Sequence, residues 1–452
     1  MSKYCCCCKG EIDINYDELS LLTQILPKKQ EGQEYDQKGN EVNPFIKSKL
    51  FPSSNYLYSY GNIPYGKILN LNNLLNKANS IINIKQICFG DVHSLMLFEI
   101  KKEDNKIETY LYGYGSNENG QLGLDYEPGK SNIYSSLQEI NLDKVIKKKK
   151  LVFWKGLDYI IKDICIGDSF SLISIVYPSN QSLVLYRFEL KKEDKFEINQ
   201  GKNNNEKKLT IFQEFFNTLI NGSIVSVKAY GDRSLILTNK NNLYIKGTLY
   251  DMNMAEDYVL YGHFKEDIKE LHVGINNCLL LTNDNVILGV GHSEYGEFGL
   301  GDLSDNHAFY NGEYKINEYF KSRQLEIIKL SSGARHSLIL CSNGKVYCFG
   351  DNSDGQCCGL EKMVEQPMVV TFEDEKEFII DIKAGFNHSM AKSRNGKVYV
   401  WGDSAWDKLG FKETRVDQFI PVEVSDMKIR NVVGLYAGPM QSAIFVSGGV
   451  GN

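Results

Sequence analysis

GARHSLILCSNGKVYCFG, from Gly333 to Gly350, has the pattern of a complete β-hairpin. Its apolar segments SLILC and KVYCF are of strand length, and Asn343-Gly344 between them suits a two-residue type I′ turn, because both central residues of that turn have positive φ. We predict two strands joined by such a turn. Since an isolated hairpin is only marginally stable in water, the unit needs neighbours from the rest of the chain.

The chain repeats this hairpin. The copies GFNHSMAKSRNGKVYVWG at Gly385 and GINNCLLLTNDNVILGVG at Gly274 keep the same spacing between their first and last glycines, and the copy at Gly231 is one residue shorter. The copy at Gly438 has a first strand but no second one. In sequence order, the first glycines of the seven copies are Gly90, Gly167, Gly231, Gly274, Gly333, Gly385 and Gly438.

The missing half lies at the other end of the repeat region. Asn55 to Gly61, NYLYSYG, has the pattern of a second strand with no first strand before it. We therefore predict a closed ring in which the C-terminal strand Gln441 to Ser447 pairs beside Tyr56 to Tyr60. Closure would leave no long sheet edge exposed to aggregation.

A second box follows several hairpins and makes a family resemblance specific. Its copies are SNENGQLGL at residues 116–124, HSEYGEFGLGD at 292–302, DNSDGQCCGL at 351–360 and DSAWDKLGF at 403–411. Hairpin and G-Q-L-G box together, over residues 51–447, resemble the regulator of chromosome condensation repeat family. The resemblance implies an all-β fold, a seven-bladed β-propeller closed by its N- and C-terminal strands and carrying long inserted loops. An N-terminal extension (1–50) and a short tail (448–452) would flank it.

The repeated glycines and histidines are predicted to be structural. The first glycine of each copy would let the backbone turn at a crowded hub, through positive φ or through close packing, and a second glycine follows an aromatic residue between blades. Three histidines, His93, His336 and His388, occupy the same slot of the pattern G-x-x-H-S. One residue type at one place of a repeat favours local bonding at the hub over three active sites.

The remaining composition narrows the function classes. No Ser-His-Asp order, H-E-x-x-H, phosphate-binding glycine loop or paired C-x-x-C appears, so we expect no bond-making catalysis, cofactor or metal site. A net charge of −6 argues against nucleic acid as the main partner. Without a long apolar run or a signal-peptide pattern, we expect an intracellular protein, cytoplasmic or membrane-associated, with the nucleus left open. Five cysteines are interpreted as small hydrophobes within strands: Cys88, Cys165, Cys278, Cys341 and Cys348.

Four contiguous cysteines, Cys5, Cys6, Cys7 and Cys8, stand out in the N-terminal extension. S-acylation of this cluster would tether the protein to a membrane, since several acyl chains bind firmly where one does not. A reduced tail without that role is an equally open interpretation. Zinc binding ranks behind both, because four adjacent cysteines cannot all reach one tetrahedral ion.

Long insertions and acidic loops offer candidate recognition elements. The insertions lie between Gly123 and Ile161, from Lys191 to Gly222 and from His307 to Arg323, and the acidic stretches are Glu103-Asp104, Glu193-Asp194 and Glu373 to Glu377.

Two functions remain open at this stage. The first is a monomeric propeller scaffold that presents one face and its loops to a protein partner, in small-GTPase or trafficking pathways and with membrane tethering as an option. The alternative, implied by the family resemblance, is a guanine-nucleotide exchange factor for a Ran-like small GTPase. Such a factor binds the nucleotide-free GTPase better than the loaded one, through a wedge or an acidic loop. A chromatin-bound member would instead bind DNA in a salt-sensitive way.

Overall fold

Seven four-stranded antiparallel sheets make up most of the chain. In this computed structural model they belong to one compact unit, Pro52–Asn452. The structure describes residues 55–61, 68–75, 82–101, 107–124, 131–144, 159–177, 182–189, 211–214, 222–247, 255–275, 277–301, 308–310, 315–411, 416–424 and 431–447. The N-terminal extension lies outside these ranges.

The sheets are the blades of a propeller, and we number them from the first complete one. Blade 1 contains β3 Ile82–Phe89, β4 His93–Lys101, β5 Ile107–Ser116 and β6 Ile133–Glu139; blade 2 contains β7 Ile160–Ile166, β8 Ser171–Tyr177, β9 Ser182–Phe188 and β10 Ile211–Glu214. Blade 3 contains β11 Ile224–Tyr230, β12 Arg233–Thr238, β13 Asn242–Gly247 and β14 Ala255–His263; blade 4 contains β15 Ile268–Val273, β16 Asn277–Thr282, β17 Ile287–Gly291 and β18 Ala308–Tyr310. Blade 5 contains β19 Ile327–Ser332, β20 His336–Cys341, β21 Val346–Asp351 and β22 Met363–Val369; blade 6 contains β23 Ile379–Ala384, β24 His388–Ser393, β25 Val398–Gly402 and β26 Gln418–Glu423. Blade 7 contains β27 Val432–Ala437 and β28 Gln441–Val446 with β1 Tyr56–Gly61 and β2 Ile68–Asn70.

The first strands of the blades surround a central channel. Each contacts the first strand of the next blade, and β27 contacts β3 in the same way, so the ring is closed. The core lies between blades rather than within them. Leu279 of blade 4, Leu338 of blade 5 and Ala391 of blade 6 belong to one buried cluster. In blade 5 the apolar segment SLILC of the second strand is accordingly buried along its whole length.

The last strand closes the ring as predicted. β28 pairs antiparallel with β1, with Val446 opposite Tyr56 and Gln441 opposite Gly61. Blade 7 thus combines two strands from each end of the repeat region. This pairing, together with the seven sheets, confirms the predicted propeller.

The turn at Asn343-Gly344 differs from the prediction. Cys341 N–H donates to the Lys345 carbonyl at 3.0 Å, so the loop has three residues, not two. Within it only Gly344 has positive φ, at 78°. This is the three-residue hairpin in which a glycine in the left-handed region follows a type I turn. The type I′ prediction was wrong because Asn-Gly also fits the last two positions of that longer loop.

A β-bulge interrupts the first strand of every blade close to its beginning. In β19, for example, Ile327 pairs with Cys341 and Lys329 with Leu340, which leaves Ile328 without an opposite residue. Bulges redirect side chains at sheet edges. We call the mouth of the channel at this end the bulge face. The bulged residues are Lys85, Lys162, Val225, Lys269, Ile328, Ile380 and Val433.

Short helices and strands account for parts of the insertions. The segment IFQEFFNTLI supplies β10, so its first residues form a strand. The tyrosine-rich insertion contains β18 and a helix, Lys315–Ser322, whose Phe320 packs edge-on against Tyr347 at 5.2 Å between ring centroids. Another helix spans Leu71–Leu74, and a 3-10 helix spans Ala405–Asp407. Among the described residues, no helix has the length and apolarity to cross a membrane.

Candidate functional site

The turns between the first and second strands form the opposite mouth of the channel, which we call the turn face. Backbone atoms of neighbouring turns bond directly here: Ala334 N–H donates to the Phe386 carbonyl at 3.0 Å, and Phe386 N–H donates to the Gly438 carbonyl at 3.1 Å. A Cβ at Gly333 would lie 2.3 Å from the Gly385 carbonyl oxygen of the next blade. Close packing, and not positive φ, therefore requires glycine in these turns. The same holds for the equivalent glycines Gly90, Gly167, Gly274, Gly385 and Gly438.

Gly231 is an exception that corrects the sequence alignment. It has φ of 61°, and a Cβ there would meet nothing within 4 Å. We call the first glycine of each copy the hub glycine. In blade 5 the hub glycine is Gly333, whose N–H donates to the His336 carbonyl across the turn. In blade 3 the residue at this place is Tyr230, which opposes Arg233. Gly231 thus occupies the position after the hub glycine, and Tyr230 takes the place of that glycine. The third copy therefore begins at Tyr230. Counted from Gly231, one position later, it is one residue shorter than the other copies.

The three histidines link neighbouring blades through side chains. Nε2 of His93 lies 2.9 Å from Oγ of Ser171, and the pair His336–Ser389 repeats this at 3.0 Å. His388 lies 2.7 Å from Ser442 in the same way.

In each of these pairs the serine belongs to the G-x-x-x-S turn of the next blade. Burial lowers the pKa of His93 and of His336 to about 3, and that of His388 well below its usual 6.5. At neutral pH these imidazoles are therefore uncharged.

Arg233 fills the histidine slot of blade 3 and also reaches the next blade. Its Nη2 donates to the Gly274 carbonyl at 2.8 Å. The slot thus holds different residues that perform one task, interblade bonding. Local bonding was the predicted role, although the partner is a serine hydroxyl or a carbonyl of the adjacent blade.

The G-Q-L-G boxes pack against the same turns. The Gln356 carbonyl accepts from Ser389 Oγ at 2.8 Å and from Trp401 Nε1 at 2.9 Å, both on the next blade. The Gln356 amide oxygen accepts from Asp354 N–H at 2.9 Å. In blade 4 this place is taken by Glu297, whose carboxylate accepts a hydrogen bond of 2.7 Å from the backbone two residues earlier. Burial raises the pKa of Glu297 to about 7.

Three exposed aspartates, one each from blades 1, 2 and 3, lie side by side on the turn face. We call Asp91, Asp168 and Asp232 the acidic arc. Partial desolvation by the surrounding turns and the charge of Asp168 raise the pKa of Asp91, against the lowering effect of the Lys408 ammonium. Partial desolvation and the charge of Asp232 likewise raise the pKa of Asp168, against the Arg233 guanidinium. Adjacent carboxylates repel one another, which favours a cationic partner.

Two apolar side chains stand out on this face. Leu360, at the end of the blade 5 box, is 87% exposed, and Trp406 in the blade 6 box is 45% exposed. Trp406 also has φ of 63°, which is rare for a bulky residue and marks local strain. Exposed aromatic residues on rigid loops are frequent binding anchors. In the sequence this segment is only a degenerate box, DSAWDKLGF, with no sign of the strain.

The other predicted elements do not join this site. Glu373 to Glu377 lies near the bulge face, where Glu377 accepts from the Tyr399 hydroxyl at 2.7 Å. Four of the strand cysteines are buried as predicted, while Cys88 is half-buried beside the channel. Within the described ranges, no three His, Cys, Asp or Glu side chains are grouped to hold a metal ion.

The lipidation candidates and two of the acidic stretches lie outside the described residues. The interpretation of the cysteine cluster therefore stays a prediction. These positions are Cys5, Cys6, Cys7 and Cys8, and the acidic pairs Glu103-Asp104 and Glu193-Asp194.

Comparison with known proteins agrees with the repeat. Two models of the regulator of chromosome condensation (RCC1) repeat match the chain, one at residues 327–356 and 379–405 and the other at 343–391. The chain belongs to the RCC1 repeat family. The matches cover the two most regular hairpins and the box between them, and the seven blades of the structure extend the repeat around the ring.

Curated relatives match over part of their length. The chain is 27% identical over 171 residues to the ultraviolet-B receptor UVR8 of Arabidopsis thaliana, which covers 37% of each protein. It is 31% identical over 153 residues to the human X-linked retinitis pigmentosa GTPase regulator, covering 33% of this chain and 14% of that one. These matched regions are well under two thirds of the relatives' lengths.

Solved structures of similar fold extend over nearly the whole chain. Human WBSCR16 matches with a TM-score of 0.61 at 16% identity, covering 87% of this chain and 99% of that one. Prp20p from Saccharomyces cerevisiae, described with its binding to Gsp1p and histones, matches with a TM-score of 0.61 at 17% identity over 90% of this chain and 95% of its own. At these identities the likeness concerns the fold alone.

Proposed function

We propose that this propeller is a protein-interaction module whose turn face binds a partner with basic and apolar surface residues. The observation that carries the proposal is the combination of the acidic arc with Trp406 on one face. The arc attracts cations, and the tryptophan supplies a large apolar contact area. Protein binding by a family member of similar fold, Prp20p, is consistent with this role.

Rigidity of the turn face further supports the proposal. Asp91 and Asp168 extend from turns that interblade hydrogen bonds hold in place, such as Asp168 N–H to the Gly231 carbonyl at 2.8 Å. A partner would meet side chains already in position, so binding costs little ordering of the backbone.

Affinity purification with quantitative mass spectrometry tests the proposal. The purified chain serves as bait in three forms: the natural sequence, Trp406→Ala with Asp91→Asn and Asp168→Asn, and the matched control Ile380→Ala on the bulge face. We expect partners that bind the natural chain and Ile380→Ala to be lost from the triple variant and to dissociate as salt rises. Equal recovery with all three baits would refute use of the turn face.

Nucleotide exchange on a Ran-like small GTPase is a second candidate that the acidic arc favours. Carboxylates presented to a nucleotide site repel phosphates and compete for Mg²⁺, which weakens nucleotide binding. A release assay with a fluorescent GDP analogue distinguishes the two functions. If substoichiometric amounts of the protein accelerate GDP release, and the double variant Asp91→Asn with Asp168→Asn does not, exchange activity is established. If GDP is released only at the intrinsic rate, exchange is excluded and the interaction module remains the proposed function.

Membrane tethering through Cys5, Cys6, Cys7 and Cys8 is proposed as a separate property. A near-terminal cluster can carry several acyl chains, and each adds to membrane affinity. Substituting all four cysteines by serine should move the protein from the membrane fraction to the soluble one. Incorporation of an alkyne-labelled fatty acid should fall in parallel. Absence of label from the natural chain would rule the tether out.

A further inference from the structure

Within the described ranges, the three most exposed large apolar side chains belong to neighbouring segments of blades 5 and 6. Leu360 is 87% exposed, and Val416 and Ile420 follow at 62% and 61%. Single exposed apolar residues are normal on a protein surface, whereas a group of them marks a binding surface. Hydrogen bonds between the segments that carry these residues show that they form such a group.

Two hydrogen bonds join three segments at the outer edge of blades 5 and 6. Gly359 N–H donates to the Phe419 carbonyl at 2.8 Å, so the end of the blade 5 box touches β26, the outermost strand of blade 6. Ser404 N–H donates to Asp417 Oδ1 at 3.0 Å, so the 3-10 helix in the blade 6 box lies beside the start of β26. We call the exposed apolar residues of these three segments the rim patch: Leu360, Trp406, Val416 and Ile420.

A shift of one residue in the blade 5 box explains why Leu360 is exposed. In blade 4 the leucine of the box, Leu300, directly follows Gly299 and packs against the buried core. In blade 5 Cys358 and Gly359 occupy these two places, and Cys358 shares the positive φ of Gly299, at 73° and 64°. Leu360 lies one residue further along, beyond the place that packs. Folding of the blade therefore does not account for a leucine at this position.

The backbone of β26 is poorly suited to pairing with an added strand. Its Phe419 carbonyl already accepts Gly359 N–H from blade 5, and Pro421 has no N–H to donate. Recognition of an extended peptide by strand addition depends on such main-chain groups. A partner would therefore contact the rim patch through its side chains, as the apolar face of an amphipathic helix does.

Two carboxylates beside the rim patch have only neutral hydrogen-bond donors in the described part of the chain. Asp354 accepts from the Asn387 amide at 2.8 Å, and Asp417 accepts from the Ser404 N–H at 3.0 Å. Partial desolvation and the charges of Asp403 and Asp417 raise the pKa of Asp354, although its hydrogen bond favours the charged form. The carboxylates of both boxes are therefore close to one another.

The other charged residues next to the rim patch balance one another. Asp403 forms an ion pair with Lys408. Glu361 and Lys362, which follow Leu360 in the sequence, carry opposite charges. The negative charge of Asp354 and Asp417 remains, and it favours a partner with basic residues beside its apolar ones.

We propose that the rim patch binds an amphipathic helix of a protein partner, with apolar residues on one face and arginine or lysine beside them. The apolar face would cover the patch, and the basic residues would approach Asp354 and Asp417. Trp406 suits both kinds of side chain, because an indole ring packs with apolar groups and attracts cations over its face. This inference rests on the proposed function and specifies where on the turn face, and through which kind of segment, the partner binds.

Selection on the natural chain from a phage-displayed library of peptides tests the site, with peptides of about sixteen residues, roughly four helical turns. We expect the recovered peptides to carry apolar residues at helical spacing together with arginine or lysine. Fluorescence anisotropy then measures the affinity of each synthetic peptide. Leu360→Ser and Ile420→Ser should each weaken binding by about fivefold or more. The matched control Leu260→Ser, at a residue 57% exposed in the outer strand of blade 3, should leave it unchanged.

Two further measurements address the charge and the location of the site. Asp354→Asn with Asp417→Asn keeps an acceptor oxygen at each position, and it should weaken binding more at low salt than at high salt. A benzophenone-bearing copy of the peptide, cross-linked to the natural chain and mapped by mass spectrometry, should attach to the rim patch. This second measurement depends on no variant.

The variant Asp91→Asn with Asp168→Asn distinguishes this inference from the proposed function. If the rim variants weaken peptide binding and the arc variant does not, the inference stands and the acidic arc is not part of the site. If only the arc variant weakens binding, the turn face still binds a partner, but the rim patch is not where it binds.

Other occupants of the rim patch would overturn the inference. A dimer in sedimentation velocity that Leu360→Ser dissociates would assign the patch to a second copy of the chain. Binding to phosphatidylcholine–phosphatidylserine vesicles that the same variant abolishes would assign it to a lipid surface. The inference is also overturned if no selected peptide is sensitive to the rim variants, or if the cross-links lie away from the rim patch.

Discussion

Replacing His388 by alanine tests the interblade bonds that hold the ring together. His388 is fully buried and bonds Ser442 of blade 7, so the change removes a hydrogen bond and a ring from the seam beside the closing strands. The Ser442 hydroxyl, itself buried, would lose this partner. We expect a large loss of stability, and a smaller one in His388→Gln, because the glutamine amide can still donate to the hydroxyl.

The magnitude follows from two contributions. A buried polar group without its partner costs about 1–3 kcal/mol, and the cavity left by the ring adds about 2 kcal/mol or more. We therefore expect His388→Ala to lower the free energy of unfolding by about 4 kcal/mol at pH 7.5.

Acid should reduce this difference between the natural chain and the variant. The folded pKa of His388 lies well below 6.5, so as pH falls the unfolded chain binds a proton that the folded chain does not. The contribution of neutral His388 to the free energy of unfolding is fully present above the pKa of histidine in the unfolded chain. It decreases progressively as the pH falls below that value. Between pH 7.5 and 5.5, with an unfolded pKa of about 6.5, that loss is about 1.4 kcal/mol for one histidine.

Urea unfolding at the two pH values, followed by circular dichroism, measures both effects. The alanine variant lacks the titrating group. Its deficit, the amount by which its free energy of unfolding falls below that of the natural chain, should therefore be about 1.4 kcal/mol smaller at pH 5.5 than at pH 7.5. A deficit that is the same at both pH values would refute the argument that burial keeps His388 neutral. A deficit below about 1 kcal/mol at pH 7.5 would show that the bond to Ser442 does not hold the seam.

Two further predictions concern glycine packing and a buried carboxyl group. Gly438→Ala would place a Cβ 2.2 Å from Cβ of Phe89 across the seam between blades 7 and 1, so we expect about 2 kcal/mol or more of destabilisation and a lower melting temperature. In the matched control Gly231→Asn, which has open space and a backbone that asparagine tolerates, the change should stay below about 1 kcal/mol; equal losses would contradict the hub packing. Glu297→Gln should stabilise more at pH 8 than at pH 6, by about 1 kcal/mol, because a carboxyl with a raised pKa loses stability as pH rises from its unfolded value through about 7. A pH-independent gain in melting experiments would mean that Glu297 is not desolvated.

The repeat made the fold predictable, since glycine spacing and apolar alternation act locally. The half copy at Gly438 and the orphan strand at Tyr56 identified the closure, because a half hairpin needs its complement. The bulges left no trace in the sequence: lysine, isoleucine and valine all occupy the bulged position, so no residue type marks it. Counting from Gly231 instead of Tyr230 moved the third copy by one residue, and a shift of one turns each strand side chain to the other face.

The candidate site was less predictable because it depends on residues whose type differs from copy to copy of the repeat. The sequence shows a glycine-aspartate pair at each of Asp91, Asp168 and Asp232. That these three aspartates are neighbours follows only from the closed ring of blades. Trp406 lies in the most degraded box, where its strained backbone depends on tertiary packing. The acidic loops considered from composition alone lie elsewhere or outside the described residues.

Closure of blade 7 by strands from both ends has a consequence for biosynthesis. β1 emerges from the ribosome early and must wait for β28, which is translated hundreds of residues later, before its inner edge is paired. Contacts of such long sequence separation form late in folding. The nascent chain therefore exposes an unpaired strand edge throughout elongation, and we expect chaperone occupancy to persist until translation has passed Val446.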